Sequence, residues 1–455
     1  MATNGSKNGA VGDSEGSNAM IGWKNVQTKF DPEFVWIRFM PYNGVYMLRM
    51  LPVKAFDSMM KRGERISISA NLIFVTRLDH IAANEPPVGA LYLEPDWTSA
   101  YAHPDQKGRR VEIMSTWVDD KGSLLEECPR GTLSRMVKTI QDDYGIDIWL
   151  GFEIEVVLLG SAPTSTGPRH GCFTMAPQDE DQLPLIEEIV RAMTHAGVQV
   201  VQFHAEAAPC QWEFVLHHDE PLGAVDQLVR ARRALIHTAH AHGVHATFHP
   251  RPSVEEAGTA SHMHISANPR GGGAGTQEHV QAAEAFFAGI LEHLQATMAF
   301  SYPLSVSYDR VKPGIWSGGE YVCWGWQNRE VPLRRISPNR FEVKAVCATA
   351  NPYLAASALL AAGLDGLGRS LVLQMQDCQV DASTLSDAQR VALGIHNRLP
   401  TSLAESLAAL SRDHRLRAII GERLVRAYAA QTQEHDDQLQ AMSVEERCTF
   451  LLANY

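Results

Sequence analysis

Two acidic side chains alternate with apolar residues in the run Gly151–Leu159. Glu153 and Glu155 are two positions apart there. Because side chains i and i+2 of a strand share a face, this spacing predicts two carboxylates on one side of a β-strand. Burying both is costly unless a cation neutralises them. A pair of glutamates that faces solvent at a strand end would give the same pattern, so the motif alone leaves both interpretations open.

A second acidic motif surrounds Pro209. The apolar runs on either side of this proline predict two strands joined by a turn, which places Glu206 and Glu213 on facing strands and close together. Either glutamate alone is equally typical of a solvated strand end. Together with Glu153 and Glu155, they indicate a cluster of carboxylates.

Two histidines, His262 and His264, repeat the two-residue spacing. Alternating histidines suit either a pair of metal ligands or one ligand and one substrate contact, and a buried structural histidine is the common alternative. Carboxylates with a histidine form a hard, oxygen-rich donor set. That set favours Mg²⁺ or Mn²⁺ over a zinc site built on thiolates.

Cations interleaved with aromatic residues follow the acidic motifs. The aromatic residues are Trp324, Trp326 and Phe341, and the cations are Arg310, Arg329, Arg334, Arg335, Arg340 and Lys344. A solvated basic face is one interpretation. Divalent cations with guanidinium groups nearby are also what phosphoryl transfer requires. The sequence contains no GxxxxGK[ST] loop and no GxGxxG after a strand, so neither a P-loop nor a Rossmann site is predicted.

Composition excludes several classes of protein. The 455 residues are 45% hydrophobic and 20% charged, with 40 Lys and Arg against 52 Asp and Glu, a net charge of −12. This acidity argues against nucleic acid as a partner. Seven scattered cysteines without a CxxC pair indicate reduced thiols. No apolar stretch is long enough for a bilayer. We therefore expect a soluble, cytoplasmic protein with no membrane partner.

The order of predicted elements indicates a small β-rich domain followed by a larger α+β domain. We expect a disordered tail over residues 1–20, the small domain over 21–128 and the large domain over 129–455. A turn at Pro41–Gly44 predicts a hairpin in the small domain, and no long helical pattern precedes residue 129. In the large domain, helices followed by a glycine and then a strand recur at Gly145, Gly197 and Gly243.

The motifs, taken in order, resemble the glutamine synthetase family. The resemblance covers about residues 30 to 455 and is to the prokaryote-type, class I members. It is carried by Glu-x-Glu at 153–155, His-x-Glu-x-x-Pro-x-Gln-x-Glu at 204–213, His-x-His-x-Ser at 262–266, Ser307–Arg310, Asn328 with Arg329, Arg340–Glu342 and Asn351–Ala355. It implies a small N-terminal β-grasp domain and a catalytic domain with a curved antiparallel sheet backed by helices. It also implies homo-oligomeric rings whose active sites lie at subunit interfaces.

The resemblance implies a role for each candidate residue. The cofactors would be ATP and Mg²⁺ or Mn²⁺, and the small-molecule partners an acid and an amine. The ligands of one metal would be Glu155, Glu206 and Glu213, and those of the other Glu153, His262 and Glu342. The nucleotide side would comprise His264, Ser266, Arg334 and Arg340. Arg310 would hold the carboxylate of the acid, with Gly258 and Lys344 near it, and Arg329 would steady the transferred phosphoryl group.

Departures from the family pattern are confined to the amine and acid sides. Trp316 stands where the family has a flap glutamate, and Ser67 where it has the aspartate that reaches the neighbouring site. Lys344 replaces an arginine and therefore cannot form its bidentate contacts. Ala257 precedes Gly258 where an asparagine is usual. With Trp324 and Trp326, Trp316 would make the mouth of the site aromatic.

These departures favour an ATP-dependent ligase that joins a carboxylic acid such as glutamate to an amine other than ammonia. Losing two acids from a partly desolvated pocket weakens the binding of ammonium. An ordinary glutamine synthetase, with another residue in place of the missing acids, is one alternative. A non-catalytic scaffold or regulatory protein built on the same fold is another.

Overall fold

The computed structural model describes residues 13–82, 88–103, 109–160, 171–174, 177–253, 256–270 and 277–455. A first sheet is ordered β2-β1-β6-β4-β3, and β5 pairs with β6. Its strands are β1 (Phe34–Phe39), β2 (Met47–Pro52), β3 (Ile66–Ser69), β4 (Ala90–Pro95), β5 (Tyr101–Ala102) and β6 (Arg110–Val118). The predicted hairpin is confirmed, because β1 and β2 pair antiparallel on either side of the Pro41–Gly44 turn. Strands β1 and β6 pair in parallel.

Helices precede residue 129, contrary to the prediction. Helix α1 spans Asp13–Phe30 and α2 spans Val53–Lys61. The predicted tail over residues 1–20 is therefore wrong from Asp13 onward, while residues 1–12 lie outside the described residues. The helix is held by its apolar side chains, since Trp23 is fully buried with its ring 4.7 Å from that of Phe56. The apolar residues of α1 are few and widely spaced in a polar, glycine-rich sequence, so the sequence did not predict a helix there.

A second sheet, mostly antiparallel, carries the acidic motifs. Its order is β12-β13-β14-β11-β7-β9-β8, and β10 pairs with β7. The strands are β7 (Ile146–Leu159), β8 (Val200–Ala205), β9 (Gln211–Leu216), β10 (His245–Thr247), β11 (Met263–Pro269), β12 (Trp324–Trp326), β13 (Leu333–Ser337) and β14 (Arg340–Val343). Together with its backing helices, this curved sheet confirms the predicted α+β fold class.

Further helices alternate with these strands or follow them, and helix contacts with β7, β8, β10 and β11 back the second sheet. These helices are α3 (Pro129–Tyr144), α4 (Pro177–His195), α5 (Pro221–Ala241), α6 (Gln277–Ser301), α7 (Pro352–Gly368), α8 (Asp387–Ala392), α9 (Leu403–Arg412), α10 (His414–Ile420), α11 (Glu422–Gln440) and α12 (Val444–Asn454). The glycines predicted to end α3, α4 and α5 all have positive φ, and Gly145 is the left-handed cap of α3. None of the described helices is long and apolar enough to cross a lipid bilayer.

Helices α6 and α7 approach each other closely because glycines face their contact. A Cβ on Gly289 would lie 2.2 Å from the Ala362 carbonyl oxygen, and one on Gly363 would lie 2.1 Å from the Phe286 ring. Larger residues at these positions would force the helices apart. Helix α6 also packs against β11 of the second sheet.

A buried ion pair links the two sheets. Arg130, on α3, donates to both oxygens of Asp226 on α5, at 3.2 and 2.7 Å, and to Asp96 after β4, at 2.6 Å. The Tyr353 hydroxyl also donates to Asp226, at 2.6 Å. One apolar core runs through both sheets, from Trp23 to Tyr428. The domain boundary at residue 128 therefore stays a prediction.

Candidate active site

A cavity of about 410 Å³ lies on the face of the second sheet that carries the alternating glutamates. Most of the residues singled out from the sequence line it, although they come from widely separated stretches of chain. They are Glu153, Glu155, Glu206, Glu213, Gly258, His262, Arg310, Trp316, Arg329, Arg334, Glu342 and Lys344. His264 and Arg340 adjoin this set through hydrogen bonds, and Ser266 lies one position further along the strand face.

Side chains of a strand alternate between the two faces of the sheet, so both β7 glutamates lie on the cavity side, as predicted. Glu153 and Glu155 line it, while Ile154 between them is fully buried in the core. In the sheet register, Glu155 lies opposite Glu213 of β9. Neighbouring strands therefore bring together acids that are far apart in sequence.

The first cluster of possible metal ligands contains Glu153, His262 and Glu342, the set that the family resemblance implies for one metal. His262 Nδ1 lies 3.0 Å from Glu153 Oε2 and 3.3 Å from Glu342 Oε1. His264 Nε2 lies 2.9 Å from the other Glu153 oxygen. Burial acts to raise the pKa of Glu153, but hydrogen bonds from the two imidazoles hold it well below its usual range.

The second cluster contains Glu155, Glu213 and His262. Glu155 accepts a hydrogen bond from the Ala260 N–H at 2.8 Å, and Gln211 Nε2 lies 3.4 Å from it. Burial and the charges of Glu213 and Glu206 raise the pKa of Glu155 well above its usual range. Burial likewise raises the pKa of Glu213 to about 7. Carboxylates forced together in this way are what a bound divalent cation stabilises.

Glu206 occupies a different place from the one predicted. The hairpin is confirmed, but β8 ends at Ala205, so Glu206 lies in the turn and His204 is the residue opposite Glu213. The Glu206 carboxylate accepts from the Cys172 thiol at 2.8 Å and from the Ala207 N–H at 2.9 Å. Its role as a ligand beside Glu155 and Glu213 stays a prediction.

His204 is a site residue that the sequence reasoning missed. Its Nε2 lies 3.2 Å from Glu213 Oε1, and it forms a third cluster of possible ligands with Glu206 and Glu213. The signal was present, because His204 and Glu206 have the same two-residue spacing as Glu153 and Glu155. The Phe173 ring lies 4.5 Å from the His204 ring and closes this side of the cavity.

Lys344 extends into the acidic floor of the cavity. It is 4% exposed, and its Nζ lies 3.2 Å from Glu342 Oε1 and 3.5 Å from His262 Nε2. Burial opposes ionisation of Glu342, but Lys344 and His262 lower its pKa to about 2. The ammonium group thus neutralises part of the acidic cluster as a single point charge, where an arginine would have formed a planar fork.

Arg310 and Gly258 form one wall of the cavity. The Arg310 guanidinium is 2% exposed and donates to the Tyr302 hydroxyl at 3.2 Å and to the Val346 carbonyl at 3.3 Å. Gly258 packs against it, and its own carbonyl accepts from Gln211 at 2.9 Å. A Cβ on Gly258 would lie 2.5 Å from the Pro250 carbonyl oxygen and 3.2 Å from Arg310 Cγ. The wall therefore requires glycine at this position.

If Arg310 holds the acid as the family resemblance implies, we expect Gly258→Ala to displace Arg310 and to raise the KM for that acid about tenfold, or about 1.4 kcal/mol of binding. Gly151→Ala is the matched control, because a Cβ there meets no atom closer than 3.7 Å. Steady-state kinetics with the acid varied would measure the effect. A KM equal to that of the unmodified protein would show that Arg310 does not contact the acid.

The remaining cations divide between the two faces of the sheet. Arg334 lines the cavity and donates to Glu342 at 3.0 Å, while the next residue, Arg335, points away and pairs with Glu284. Arg329 lines the cavity and is exposed, and it has no ion-pair partner among the described residues. Arg340 donates toward His264 Nδ1 at 3.1 Å.

Ser266 lies further from the cavity than the other nucleotide-side candidates. Its hydroxyl accepts a hydrogen bond from Asn268 Nδ2 at 3.0 Å, and it does not line the cavity within the described part of the chain. It shares the β11 face with His264, as their spacing predicts. Its role toward the nucleotide stays a prediction.

Trp316 lies at the mouth of the cavity. Its side chain is 55% exposed, its backbone has φ of 56°, and its N–H donates to Glu330 Oε1 at 3.2 Å. The prediction that Trp324 and Trp326 share the mouth is wrong for the described cavity, because both lie against the Arg335 guanidinium, at 5.6 and 5.5 Å. The mouth therefore has one tryptophan rather than three.

A curved, helix-backed antiparallel sheet with an acid-rich cavity on one face defines a mixed α+β protein whose candidate site lies on the sheet. Residues 126–448 match the family model described as glutamine synthetase, catalytic domain. The chain belongs to the glutamine synthetase family.

Named relatives and a solved structure agree with this assignment. The chain is 39% identical over 432 residues to Protein fluG of Emericella nidulans, covering 93% of this chain and 49% of that protein, so it spans about half of that relative's length. It is 32% identical to Gamma-glutamylpolyamine synthetase GlnA3 of Streptomyces coelicolor over 76% of each chain. The structure described as a GmaS/ADP complex has the same fold, with a TM-score of 0.79, 23% identity and coverage of 94% and 98%.

Proposed function

We propose that the chain catalyses the ATP-dependent joining of a carboxylic acid such as glutamate to an amine other than ammonia, through an acyl phosphate. One observation carries the proposal: the cavity gathers all six predicted metal-ligand side chains, while Trp316 is the residue at its mouth. The acidic floor suits phosphoryl transfer. The aromatic mouth suits an amine with an apolar body.

The donor set fits Mg²⁺ or Mn²⁺. Glu153, His262 and Glu342 offer ligand atoms within 4.8 Å of one another, as do Glu155, Glu213 and His262. Oxygen-rich sets of this kind suit hard cations. Divalent cations held there would neutralise the phosphates of ATP and the charge that develops during transfer. Arg329 and Arg334 line the same cavity and would hold phosphoryl oxygens, with Arg340, His264 and Ser266 on the nucleotide side.

Arg310 would hold the carboxylate of the acid. Its guanidinium is almost fully buried and is fixed by Tyr302 and Val346, so little side-chain entropy remains to be lost on binding. Lys344 lines the same cavity and pairs with Glu342. One oxygen of the acid's carboxylate would attack the γ-phosphorus of ATP, and ADP would leave. That oxygen would lie between Arg310 and the acidic floor.

The amine side supports a substrate larger than ammonium. Trp316 presents an exposed ring where the family pattern has an acid, and an aromatic face binds the apolar stem or the cation of an amine. The relative GlnA3, at 32% identity, is named for a reaction with polyamines. This likeness supports an extended amine for the present chain. Homo-oligomeric rings, in which a neighbour completes each cavity, belong to the same proposal.

Ordinary glutamine synthesis is the second candidate, and Glu330 is the observation that favours it. This carboxylate contacts the backbone of Trp316, and burial raises its pKa above the usual range. It brings a carboxylate to the cavity mouth and could replace one missing acid. The family pattern has two acids on the amine side. A second carboxylate, from a neighbouring subunit, would therefore still be needed to bind ammonium in the usual way.

Phosphate release measured with purified full-length protein, ATP and Mg²⁺ tests the proposal. Panels of acids and amines are varied independently, reactions without acid or without amine are the controls, and mass spectrometry identifies the amide. We expect turnover to require both partners and to be faster with polyamines or other large amines than with ammonium. Faster turnover with glutamate and ammonium would favour the second candidate. No turnover and no metal-dependent ATP binding would favour a scaffold.

A further inference from the structure

A second cavity, of about 400 Å³, lies between the β1–β2 loop, helix α5 and the segment that leads into α7. Four guanidinium groups line it, from Arg38, Arg77, Arg232 and Arg233. Across the described part of the chain, no aspartate or glutamate lines it. This is a concentration of positive charge in a protein whose net charge is −12. We call it the arginine cavity.

The four arginines differ in how they are neutralised. Arg38 forms a buried ion pair with Glu112. Arg77 donates to the carbonyl oxygens of Asn43, at 3.1 Å, and of Asn454, and lies 3.7 Å from the Tyr455 ring centroid. Across the residues that the structure describes, neither Arg232 nor Arg233 has a carboxylate within ion-pair distance. Arg77, Arg232 and Arg233 thus have no aspartate or glutamate as an ion-pair partner within the described ranges.

Two polar groups of residues that line this cavity are buried without a partner. The Nε atom of Arg232 and the hydroxyl of Tyr46 have no hydrogen-bond partner in the described ranges, and both residues line the cavity. The Arg232 guanidinium lies over the Phe248 ring at 5.3 Å, where apolar surface excludes water. Burial lowers the pKa of Arg232 to about 10. Leaving such donors unpaired costs free energy that a ligand can recover.

The backbone adds to the positive potential. Ala348, Thr349, Ala350 and Pro352 line the cavity at the start of α7, a helix that spans Pro352–Gly368. A helix of this length carries a partial positive charge at its N-terminus. The Asn351 side chain already caps the Tyr353 and Leu354 amides, so the helix contributes its dipole rather than free N–H groups.

We propose that the arginine cavity binds a small anion with two or more carboxylate or phosphate groups, held by Arg232, Arg233 and Arg77 and hydrogen-bonded by the Tyr46 hydroxyl. Guanidinium groups suit both kinds of anion, because their planar donors pair with two oxygens at once. A cavity of this volume admits a ligand of metabolite size. The site is distinct from the ligase cavity, and its occupancy does not depend on the proposed ligase activity.

Calorimetry and thermal unfolding of the full-length protein test the site. Inorganic phosphate, succinate and citrate are the probes, at matched ionic strength with NaCl as the reference. We expect saturable binding of at least one probe, and its identity separates phosphate from polycarboxylate chemistry. Arg232→Met should weaken that binding at least about tenfold, and Tyr46→Phe about threefold. Without anion, Arg232→Met should unfold at the same or a higher temperature, because it removes an unpaired buried charge.

Two control variants locate the effect. Arg191→Met changes an exposed arginine on α4 and should bind the anion like the unmodified protein. Arg329→Met changes the ligase cavity, and a loss of binding there rather than in Arg232→Met would place the anion in that cavity and overturn the proposal. Absence of binding by every probe would overturn it too. Dissociation of an oligomer on Arg232→Met, seen by light scattering, would show that a neighbouring chain supplies the anion.

Discussion

Glu155→Gln is expected to reduce ATP-dependent product formation by on the order of 10²–10³-fold, or about 3–4 kcal/mol of transition-state stabilisation. Glu155 is buried at the centre of the acidic floor, beside Glu213 and His262, and the Ala260 N–H orients its carboxylate. Glutamine keeps the shape of the side chain but replaces an anionic oxygen by an amide. A divalent cation would lose one charged ligand, and the phosphates of ATP would lose much of their counter-charge.

The control for Glu155→Gln is Glu187→Gln, which changes an exposed glutamate on α4 that pairs with Arg191. Phosphate release and Mg²⁺-dependent ATP binding are measured for both variants, with thermal unfolding as a check on folding. Because the substitution removes one of three mutually repelling carboxylates, Glu155→Gln should unfold at the same or a higher temperature. Full turnover by a folded Glu155→Gln protein would refute the assignment of Glu155 to a metal.

Trp316→Glu is expected to shift the preference between amines toward ammonium by at least about tenfold in the ratio of kcat/KM values. One carboxylate near a bound ammonium, at an effective dielectric constant of about 20, contributes a few kcal/mol, and solvent at the mouth reduces this to about 1.4 kcal/mol or more. The exposed ring is also lost, so a large amine loses its apolar contact. Both effects change the ratio in the same direction.

Trp316→Gln separates charge from size. Glutamine removes the ring as glutamate does but adds no charge, and both replace a side chain at a position with φ of 56°, so backbone strain is similar. Kinetics with ammonium and with a polyamine are compared for the two variants. Equal but altered ratios in the two variants would mean that the ring acts through its size and that the added charge has no effect. A ratio unchanged from the parent in both variants would mean that residue 316 does not face the amine.

Local patterns predicted those parts of the site that depend on one strand at a time. The alternation in β7 was sufficient to place Glu153 and Glu155 together, since pleating requires nothing beyond the strand itself. The same holds for His262 and His264. The Glu206 prediction was less successful, because it depended on the residue at which β8 ends. A register difference of two positions places His204, rather than Glu206, opposite Glu213.

Other features depended on tertiary contacts that no local pattern contains. The start of α1 is polar, and its stability comes from Trp23 packing against Phe56. Trp324 and Trp326 were predicted at the mouth because they are close in sequence to the arginines. Both rings instead lie against the Arg335 guanidinium. The arginine cavity was also missed, because its members come from β1, the first sheet's loops and α5.

Strand β7 lies in the middle of its sheet, with β9 and β11 on either side and β10 along its end. A slip of one residue in its pairing would turn Ile154 outward and drive Glu153 and Glu155 into the apolar core. The cost of burying two charges would make such a misfolded form far less stable than the correct one. Misaligned pairing in nascent chains is thus disfavoured by the same two side chains that are proposed to hold a metal, so correct folding and the proposed chemistry would depend on one pair of residues.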